Sequence, residues 1–157
     1  MNYWLMKSEP SAFSIDDLKT MPDQTEHWDG VRNYQARNMM RDQMKVGDRA
    51  FFYHSNCPVP GIVGLMEVVR EGYPDHTAVD PDSKYFDEKS APDNPRWFMV
   101  DIRYIRHTER VIPLAELKAH AALENMPLVR KGNRLSIMPV SESEWHYILS
   151  IEKGPEG

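Results

Sequence analysis

Three segments with strand-like patterns constrain the fold more than any other feature of the chain. KVGDRAFFYHS (45–55) follows a Gly-Asp turn and has the composition of a half-buried strand. GIVGLMEVVREGY (61–73) lies across the short proline loop CPVP, so the two segments predict a hairpin. RWFMVDIRYIRHTERVIP (96–113) sets Phe98, Val100, Ile102 and Tyr104 against Met99, Asp101 and Arg103, which predicts a long strand with one face in the core.

Helical patterns alternate with these strands. SIDDLKTM (14–21) and SESEWHYILSIE (141–152) each begin with a capping box, and the methionines of 34–44 share one side of an amphipathic helix. LAELKAHAAL (114–123) also reads as a helix, and NYWLM (2–6) and RLSIMPV (134–140) read as short strands. The sum predicts an α+β fold, with short strands curled into a barrel and helices on its flanks.

Length and composition predict one folded unit. The chain has 157 residues, of which 41% are hydrophobic and 27% charged, typical of a globular domain. We expect a single domain over residues 1–152, a frayed tail over 153–157, and either an ordered acidic loop or a mobile flap over 76–96. No signal-peptide or membrane-spanning pattern is present, so we expect a cytoplasmic protein with no membrane partner. We also expect a monomer.

The charge distribution limits how the chain can bind nucleic acid. A formal net charge of −5 excludes coating through a broadly basic surface, because that mode depends on counterion release. A local basic mouth remains possible. The positive residues gather near the two ends of the sequence, at Lys7, Arg32, Arg37, Arg41, Arg130, Lys131 and Arg134.

Common catalytic motifs are absent from the sequence. There is no phosphate-binding glycine loop, no His-Glu-x-x-His, no Gly-x-Ser-x-Gly and no deaminase signature. The GIVG of 61–64 resembles the clamp of a KH domain, but its strand context predicts a bend or a close backbone approach. The single cysteine, Cys57, is a poor nucleus for a zinc site. We expect no metal, no cofactor and no enzymatic activity.

The segment WDGVRNYQARN (28–38) gathers aromatic, amide and guanidinium groups at the entrance of a helix. Trp28 precedes an Asp-Gly turn and Trp97 begins a strand, so each fits either a core anchor or a ligand platform. Trp4 and Trp145 lie in apolar patterns and are expected to pack in the core. His54 in YHSN (53–56) fits either a hydrogen-bonded strand histidine or a catalytic base. Arg134 is expected to cross the mouth of the barrel.

Seven segments, in order, resemble the EVE domain family: YWLMKSEP, WDGVRNYQARN, GDRAFFYHS, GIVGLMEVV, YPD, RWFMVDI and GNRLSIMPV. The resemblance runs from Tyr3 to about Ile151. It implies a PUA-like β-barrel related to the YTH domains, which read methylated adenine in RNA. It also implies a reader of modified bases in DNA or RNA.

The resemblance and the residue chemistry together predict a binding site on five parts of the chain. Trp28 and Trp97 are assigned to an aromatic cage around the base. The predicted ligand-binding residues are Lys7, Ser8, Glu9, Trp28, Gly30, Val31, Arg32, Asn33, Tyr53, His54, Ser55, Asn56, Trp97, Arg134, Leu135 and Ser136. The predicted phosphate contacts are Arg37, Arg41, Arg130 and Lys131.

The leading hypothesis is a non-catalytic module that holds a flipped or single-stranded modified base, because such a base needs a stacking face, hydrogen-bonding groups and nearby cations. The alternative is an enzyme acting on a small anionic or nucleotide-like substrate, with Glu9 and His54 as the proton-transfer groups and Arg134 holding the charge. A protein-interaction scaffold that uses the acidic segment 76–96 is a third hypothesis.

Overall fold

A computed structural model describes residues 1–153 as one mixed β-sheet with helices on both faces. The strands are β1 (Tyr3–Ser8), β2 (Thr25–His27), β3 (Arg49–His54), β4 (Gly61–Pro74), β5 (Phe98–Pro113) and β6 (Ile137–Val140), and the helices are α1 (Ile15–Thr20), α2 (Tyr34–Asn38), α3 (Leu114–Lys118) and α4 (Glu142–Ile151). The predicted α+β class is confirmed.

The strands of the sheet follow the order β2-β5-β4-β3-β1-β6. Only β1 and β3 run parallel in this part of the chain, with Leu5 opposite Phe51, and the predicted β3–β4 hairpin is present as an antiparallel pair. The ladder does not close within residues 1–153, because β2 and β6 stand at opposite edges and each pairs on one side only. The predicted β-barrel is therefore an open sheet, bent by bulges in β3, β4 and β5.

Both faces of the central strands are buried. In β1, Trp4 and Met6 enter one core while Leu5 enters the other, as the two-residue period of a strand requires. Helices α1 and α2 cover the first core, and α3 and α4 cover the second. The prediction that β3 is half-buried is wrong, because Ala50 to Tyr53 are all buried under these two helical layers. Met99, expected on the outer face of β5, is buried as well.

Close backbone approach explains the glycines of the GIVG segment. A Cβ at Gly64 would lie 2.7 Å from the carbonyl oxygen of Arg106 on β5 and would collide with Ile15 of α1. A Cβ at Gly61 would likewise meet the backbone of Ile112. The predicted close approach is confirmed, and it lets α1 pack directly on the sheet.

Local sequence signals place the starts of α1 and α4 well. Both capping boxes form, with Ser14 paired to Asp17 and Ser141 paired to Glu144. The helix predicted over 34–44 is α2 followed by a π-helical turn, Met39–Gln43, and its methionines are buried as expected. The helix predicted over 114–123 ends at Lys118, and a separate 3₁₀ turn follows at Ala121–Leu123.

The acidic segment 76–96 folds as a loop with internal hydrogen bonds, in agreement with the ordered-loop alternative. It begins with a 3₁₀ turn, His76–Ala78, and the backbone N–H of Asp87 donates to the carbonyl of Ala78 at 2.8 Å. The tail predicted to fray falls mostly at 154–157, outside the described residues. No helix within 1–153 combines the length and the apolar character that crossing a membrane requires.

Candidate ligand cavity

A cavity of about 650 Å³ opens at the carboxyl ends of β1 and β3. Its volume is within the range of roughly 300–1,000 Å³ typical of ligand pockets. The predicted site residues in its lining are Lys7, Ser8, Glu9, Trp28, Gly30, Val31, Arg32, Ser55, Asn56, Arg134, Leu135 and Ser136. Four predicted ligand-binding residues are not in its lining: Asn33, Tyr53, His54 and Trp97.

Strand pairing brings three distant segments together at this end of the sheet. Lys7 lies opposite Tyr53 in the parallel β1–β3 pair, and the N–H of Ser55 donates to the carbonyl of Ser8 at 3.0 Å. On the other side of β1, the N–H of Lys7 donates to the carbonyl of Ser136 at 2.8 Å. The side chains at 7–9, 55–56 and 134–136 therefore line one opening.

A tight turn after β2 forms the opposite wall. Gly30 has a φ of +76°, which favours glycine, and its N–H donates to the carboxylate of Asp75 at 2.9 Å. A Cβ at this position would lie 2.6 Å from the ring of Tyr85. Asn33 instead caps α2, accepting from the N–H of Ala36 at 2.9 Å, which accounts for its absence from the cavity.

Trp28 presents an indole to the cavity from an otherwise buried position. Only 7% of the residue is exposed, and its ring packs edge-on against Phe52 at 5.3 Å between centroids. The indole N–H of Trp28 is used in no hydrogen bond within residues 1–153, whereas those of Trp4 and Trp97 donate to carboxylates. The indole nitrogen of Trp28 is not one of the buried polar atoms that lack a hydrogen-bond partner, so it retains contact with solvent.

Trp97 stands outside the cavity and supports the 76–96 loop. Its ring stacks on Tyr34 at 4.8 Å, and its N–H donates to Asp87 at 2.7 Å. That hydrogen bond holds the pKa of Asp87 below its usual range. The two indoles expected to flank one slot therefore occupy different places, and a single indole, that of Trp28, lines the cavity.

Arg32 clamps the acidic loop onto the turn. Its guanidinium donates twice to the carbonyl of Tyr85, at 3.2 and 2.6 Å, and once to Asp75 at 3.2 Å. Burial alone would raise the pKa of Asp75, but hydrogen bonds from Thr77, Gly30 and Arg32 together outweigh it and lower that pKa. Arg32 thus holds the loop, and with it Tyr85, against the cavity.

His54 points towards α1. Its Nε2 accepts the N–H of Ile15 at 3.1 Å, and burial lowers the pKa of the imidazole. Burial likewise raises the pKa of Tyr53 to about 12. Glu9 is engaged by the side-chain amide of Asn56 instead of by His54. The geometry therefore does not favour the proton-transfer pair of the enzyme hypothesis.

Charges of both signs surround the opening. Arg134 and Lys84 are exposed, and half-buried Lys7 has its pKa lowered by desolvation. On the other side, His27 lies 2.9 Å from the carboxylate of Glu26 and 3.6 Å from that of Asp29. The cavity is therefore rimmed by cations and walled in part by carboxylates.

Seven lining residues escaped prediction from the sequence: Ala12, Phe13, Glu26, His27, Asp29, Lys84 and Tyr85. Glu26, His27 and Asp29 adjoin Trp28 in the sequence, and this adjacency could have identified them as lining residues. No local signal could have found Lys84 or Tyr85, because the loop reaches the cavity through a contact between Arg32 and a residue 53 positions later.

The predicted phosphate contacts lie away from the cavity lining. Arg37 donates to the carbonyl of Arg96 at 2.9 Å, and Arg41 pairs with the neighbouring Asp42 at 2.8 Å. Arg130 and Lys131 are exposed in the turn before Gly132. All four stay predictions. Within 1–153 there is no cluster of three or more His, Cys, Asp or Glu residues that could hold a metal ion.

Comparison with known proteins gives consistent matches over almost the whole chain. The family model described as the EVE domain matches residues 2–151. Human thymocyte nuclear protein 1 is 51% identical over 97% of this chain and 74% of its own length. A crystal structure from Pseudomonas syringae is 50% identical with a TM-score of 0.91, covering 96% of this chain and 99% of that one. The crystal structure of human THYN1 protein in complex with 5-methylcytosine-containing DNA is 48% identical with a TM-score of 0.94, covering 99% and 100%.

Proposed function

Because the chain belongs to the EVE domain family, we propose that it reads modified DNA by holding one altered base in the cavity beside Trp28. The observation that carries the proposal is the indole of Trp28 in the wall of an open cavity of about 650 Å³. The rim of that cavity carries Lys7, Lys84 and Arg134.

The cavity offers the three kinds of group that a base outside its helix requires. A flat ring system stacks on an aromatic face, which Trp28 provides. Its polar edge needs hydrogen-bonding groups, and Ser55, Asn56 and the carboxylates of the opposite wall supply them. The adjoining phosphates attract the cationic rim.

Energetics explain why the rim matters as much as the aromatic face. Stacking contributes about 1–3 kcal/mol per base, whereas extrusion from a duplex costs a few kcal/mol. One indole therefore roughly offsets the cost of extrusion and leaves little net affinity. Phosphate contacts from Arg134, Lys7 and Lys84 provide the remaining favourable free energy and make binding dependent on salt.

The ligand is proposed to be DNA carrying a 5-substituted cytosine. Support comes from human THYN1 protein, whose structure is in complex with 5-methylcytosine-containing DNA and whose fold matches this chain with a TM-score of 0.94. Burial of one methyl group contributes about 0.8 kcal/mol, which corresponds to about a fourfold preference over unmodified cytosine. Larger selectivity has to come from the shape of the cavity.

We also propose that the protein binds its ligand without converting it. The imidazole of His54 is already hydrogen-bonded to the N–H of Ile15, and Glu9 is engaged by Asn56. Neither group is arranged to pass a proton to the other.

The test is a titration of labelled duplexes, with and without one 5-methylcytosine, at a fixed salt concentration. Wild-type protein should bind the methylated duplex more tightly. Trp28→Ala should weaken binding by about five- to a hundredfold, the loss expected for one stacked base. Trp28→Phe keeps an aromatic face and should retain most of the affinity, and a thermal melt of each variant separates lost binding from lost folding.

Arginine variants complete the design. Arg134→Ala should weaken binding, whereas Arg49→Ala should not, because Arg49 is an exposed arginine at the opposite end of β3. Equal affinity for methylated and unmethylated DNA, unaffected by Trp28→Ala, would refute the proposed function.

A further inference from the structure

Two carboxylates flank the turn at Gly30, and they are used in opposite ways. The side chain of Asp75 is completely buried and accepts hydrogen bonds from Gly30, Thr77 and Arg32. The side chain of Asp29 is 29% exposed, and its nearest cation partner, Nε2 of His27, is 3.6 Å away. Within residues 1–153, no side chain and no backbone N–H of another residue donates a hydrogen bond to Asp29. Asp75 is thus saturated by the fold, while Asp29 has acceptor positions left over.

The local environment makes this spare capacity costly for the free protein. Burial raises the pKa of Asp29, because a half-buried carboxylate is poorly solvated in its charged form, and the nearby His27 opposes this rise only in part. A half-buried carboxylate whose only donor is its own backbone N–H is stabilised when a ligand brings a further N–H to it. Asp29 therefore selects for ligands with a hydrogen-bond donor.

Asp29 lines the same cavity as the indole on which the base is proposed to stack. Asp29 directly follows Trp28, and both residues line the cavity. A base that stacks on the indole leaves its polar edge to the other groups of the lining, of which the carboxylate of Asp29 is one. Aspartate is a partner for the exocyclic amino group of cytosine, which is a donor.

We propose that the carboxylate of Asp29 reads the bound base by accepting a hydrogen bond from the 4-amino group of a 5-substituted cytosine. This proposal rests on the proposed function and adds the residue that identifies the base. Thymine has the same ring and the same methyl group as 5-methylcytosine but carries a carbonyl oxygen in place of the amino group. That oxygen faces the carboxylate as a second acceptor, so thymine is rejected by repulsion as well as by the missing hydrogen bond.

The experiment compares single-stranded oligonucleotides that carry one 5-methylcytosine, one cytosine or one thymine at the same place. Single strands are used because a thymine opposite guanine would change the cost of extrusion. Wild-type protein should prefer 5-methylcytosine to thymine by about five- to a hundredfold, the discrimination of one good base contact. Asp29→Asn replaces one acceptor oxygen by a donor that suits a carbonyl, and should bring this ratio close to one.

Two controls make the outcomes distinct. Asp29→Asn should keep the preference of 5-methylcytosine over cytosine, because that ratio reports the methyl group, and Asp93→Asn removes an exposed loop charge and should change neither ratio. If Asp29→Asn keeps the wild-type ratio of 5-methylcytosine to thymine, the role of Asp29 is refuted while the reader function stands. If wild-type protein distinguishes none of the three bases and Trp28→Ala binds equally well, both proposals fall.

Discussion

The backbone N–H of Gly30 donates a hydrogen bond to the carboxylate of Asp75 at 2.9 Å, although 45 positions separate the two residues. This bond joins the turn that carries Trp28 to the start of the 76–96 loop. Arg32 adds a second link, to the same carboxylate and to the carbonyl of Tyr85. The cavity wall is therefore built from two segments that depend on each other for their positions.

Gly30→Ala should destabilise the turn and weaken ligand binding. An alanine at positive φ costs about 1–2 kcal/mol, and the added Cβ would also displace the ring of Tyr85 from the cavity wall. Gly47→Ala is the matched control, because Gly47 has a φ of +96° but a Cβ added there would meet no atom within 4 Å. Denaturant unfolding and DNA titration of both variants measure the effect. Equal loss of binding in the two variants would show that Tyr85 plays no part.

Arg32→Lys should loosen the 76–96 loop while preserving charge. A lysine cannot reproduce the paired hydrogen bonds to Tyr85, and hydrogen bonds from a charged group contribute about 1.5–3 kcal/mol. Hydrogen exchange of the loop amides should therefore become about ten- to a hundredfold faster. Arg41→Lys, in an exposed pair with Asp42, should leave exchange in the loop unchanged. Unaltered protection of the loop in Arg32→Lys would contradict the clamp.

Trp97→Phe should lower the melting temperature and affect DNA binding only through the loop. The variant loses the hydrogen bond from the indole N–H to Asp87 but keeps an aromatic ring against Tyr34. At a temperature where both proteins are folded, its affinity should stay closer to wild type than that of Trp28→Ala. A loss of affinity as large as that of Trp28→Ala would place Trp97 in the binding site after all.

His54 should make stability fall as the pH is lowered. Burial holds its folded-state pKa below the ordinary 6.5, so from pH 6.5 downward the unfolded chain takes up a proton that the folded chain does not. The free energy of unfolding therefore decreases below pH 6.5, and the contribution of His54 is constant above it. His54→Gln keeps an acceptor for the N–H of Ile15 but cannot titrate. Urea unfolding at about pH 7.5 and about pH 5 should show a smaller decrease for the variant than for wild type.

The salt dependence of binding should identify the phosphate contacts. Each phosphate neutralised by the protein contributes about 0.9 to the slope of log K against log salt concentration. Arg134→Gln should reduce that slope by about this amount, and Arg49→Gln should not. The same measurement on Arg130→Gln and Lys131→Gln decides whether these exposed residues also contact DNA. A slope unchanged by Arg134→Gln would mean that Arg134 contacts no phosphate.

Much of the fold could be predicted because its causes are local. The capping boxes at Ser14 and Ser141 satisfy backbone groups within one helical turn, so a few residues of sequence suffice to locate them. The short apolar run NYWLM, bounded by the polar and proline-containing KSEP, likewise predicts a strand from neighbouring residues alone. Two-sided burial was not predictable in the same way for β3, because it depends on which helices return to cover the second face.

The features of the cavity could likewise be predicted only where their causes are local. The Asp-Gly turn and the helix entrance at Asn33 are readable from WDGVRN itself, since turn geometry and capping are decided by adjacent residues. The attachment of Arg32 to Tyr85, of His54 to Ile15 and of Trp97 to Asp87 was decided only by the tertiary structure. Many chemically equivalent partners lie along the chain for each of those side chains, and packing of the sheet against its helices and loop brought these within hydrogen-bonding distance.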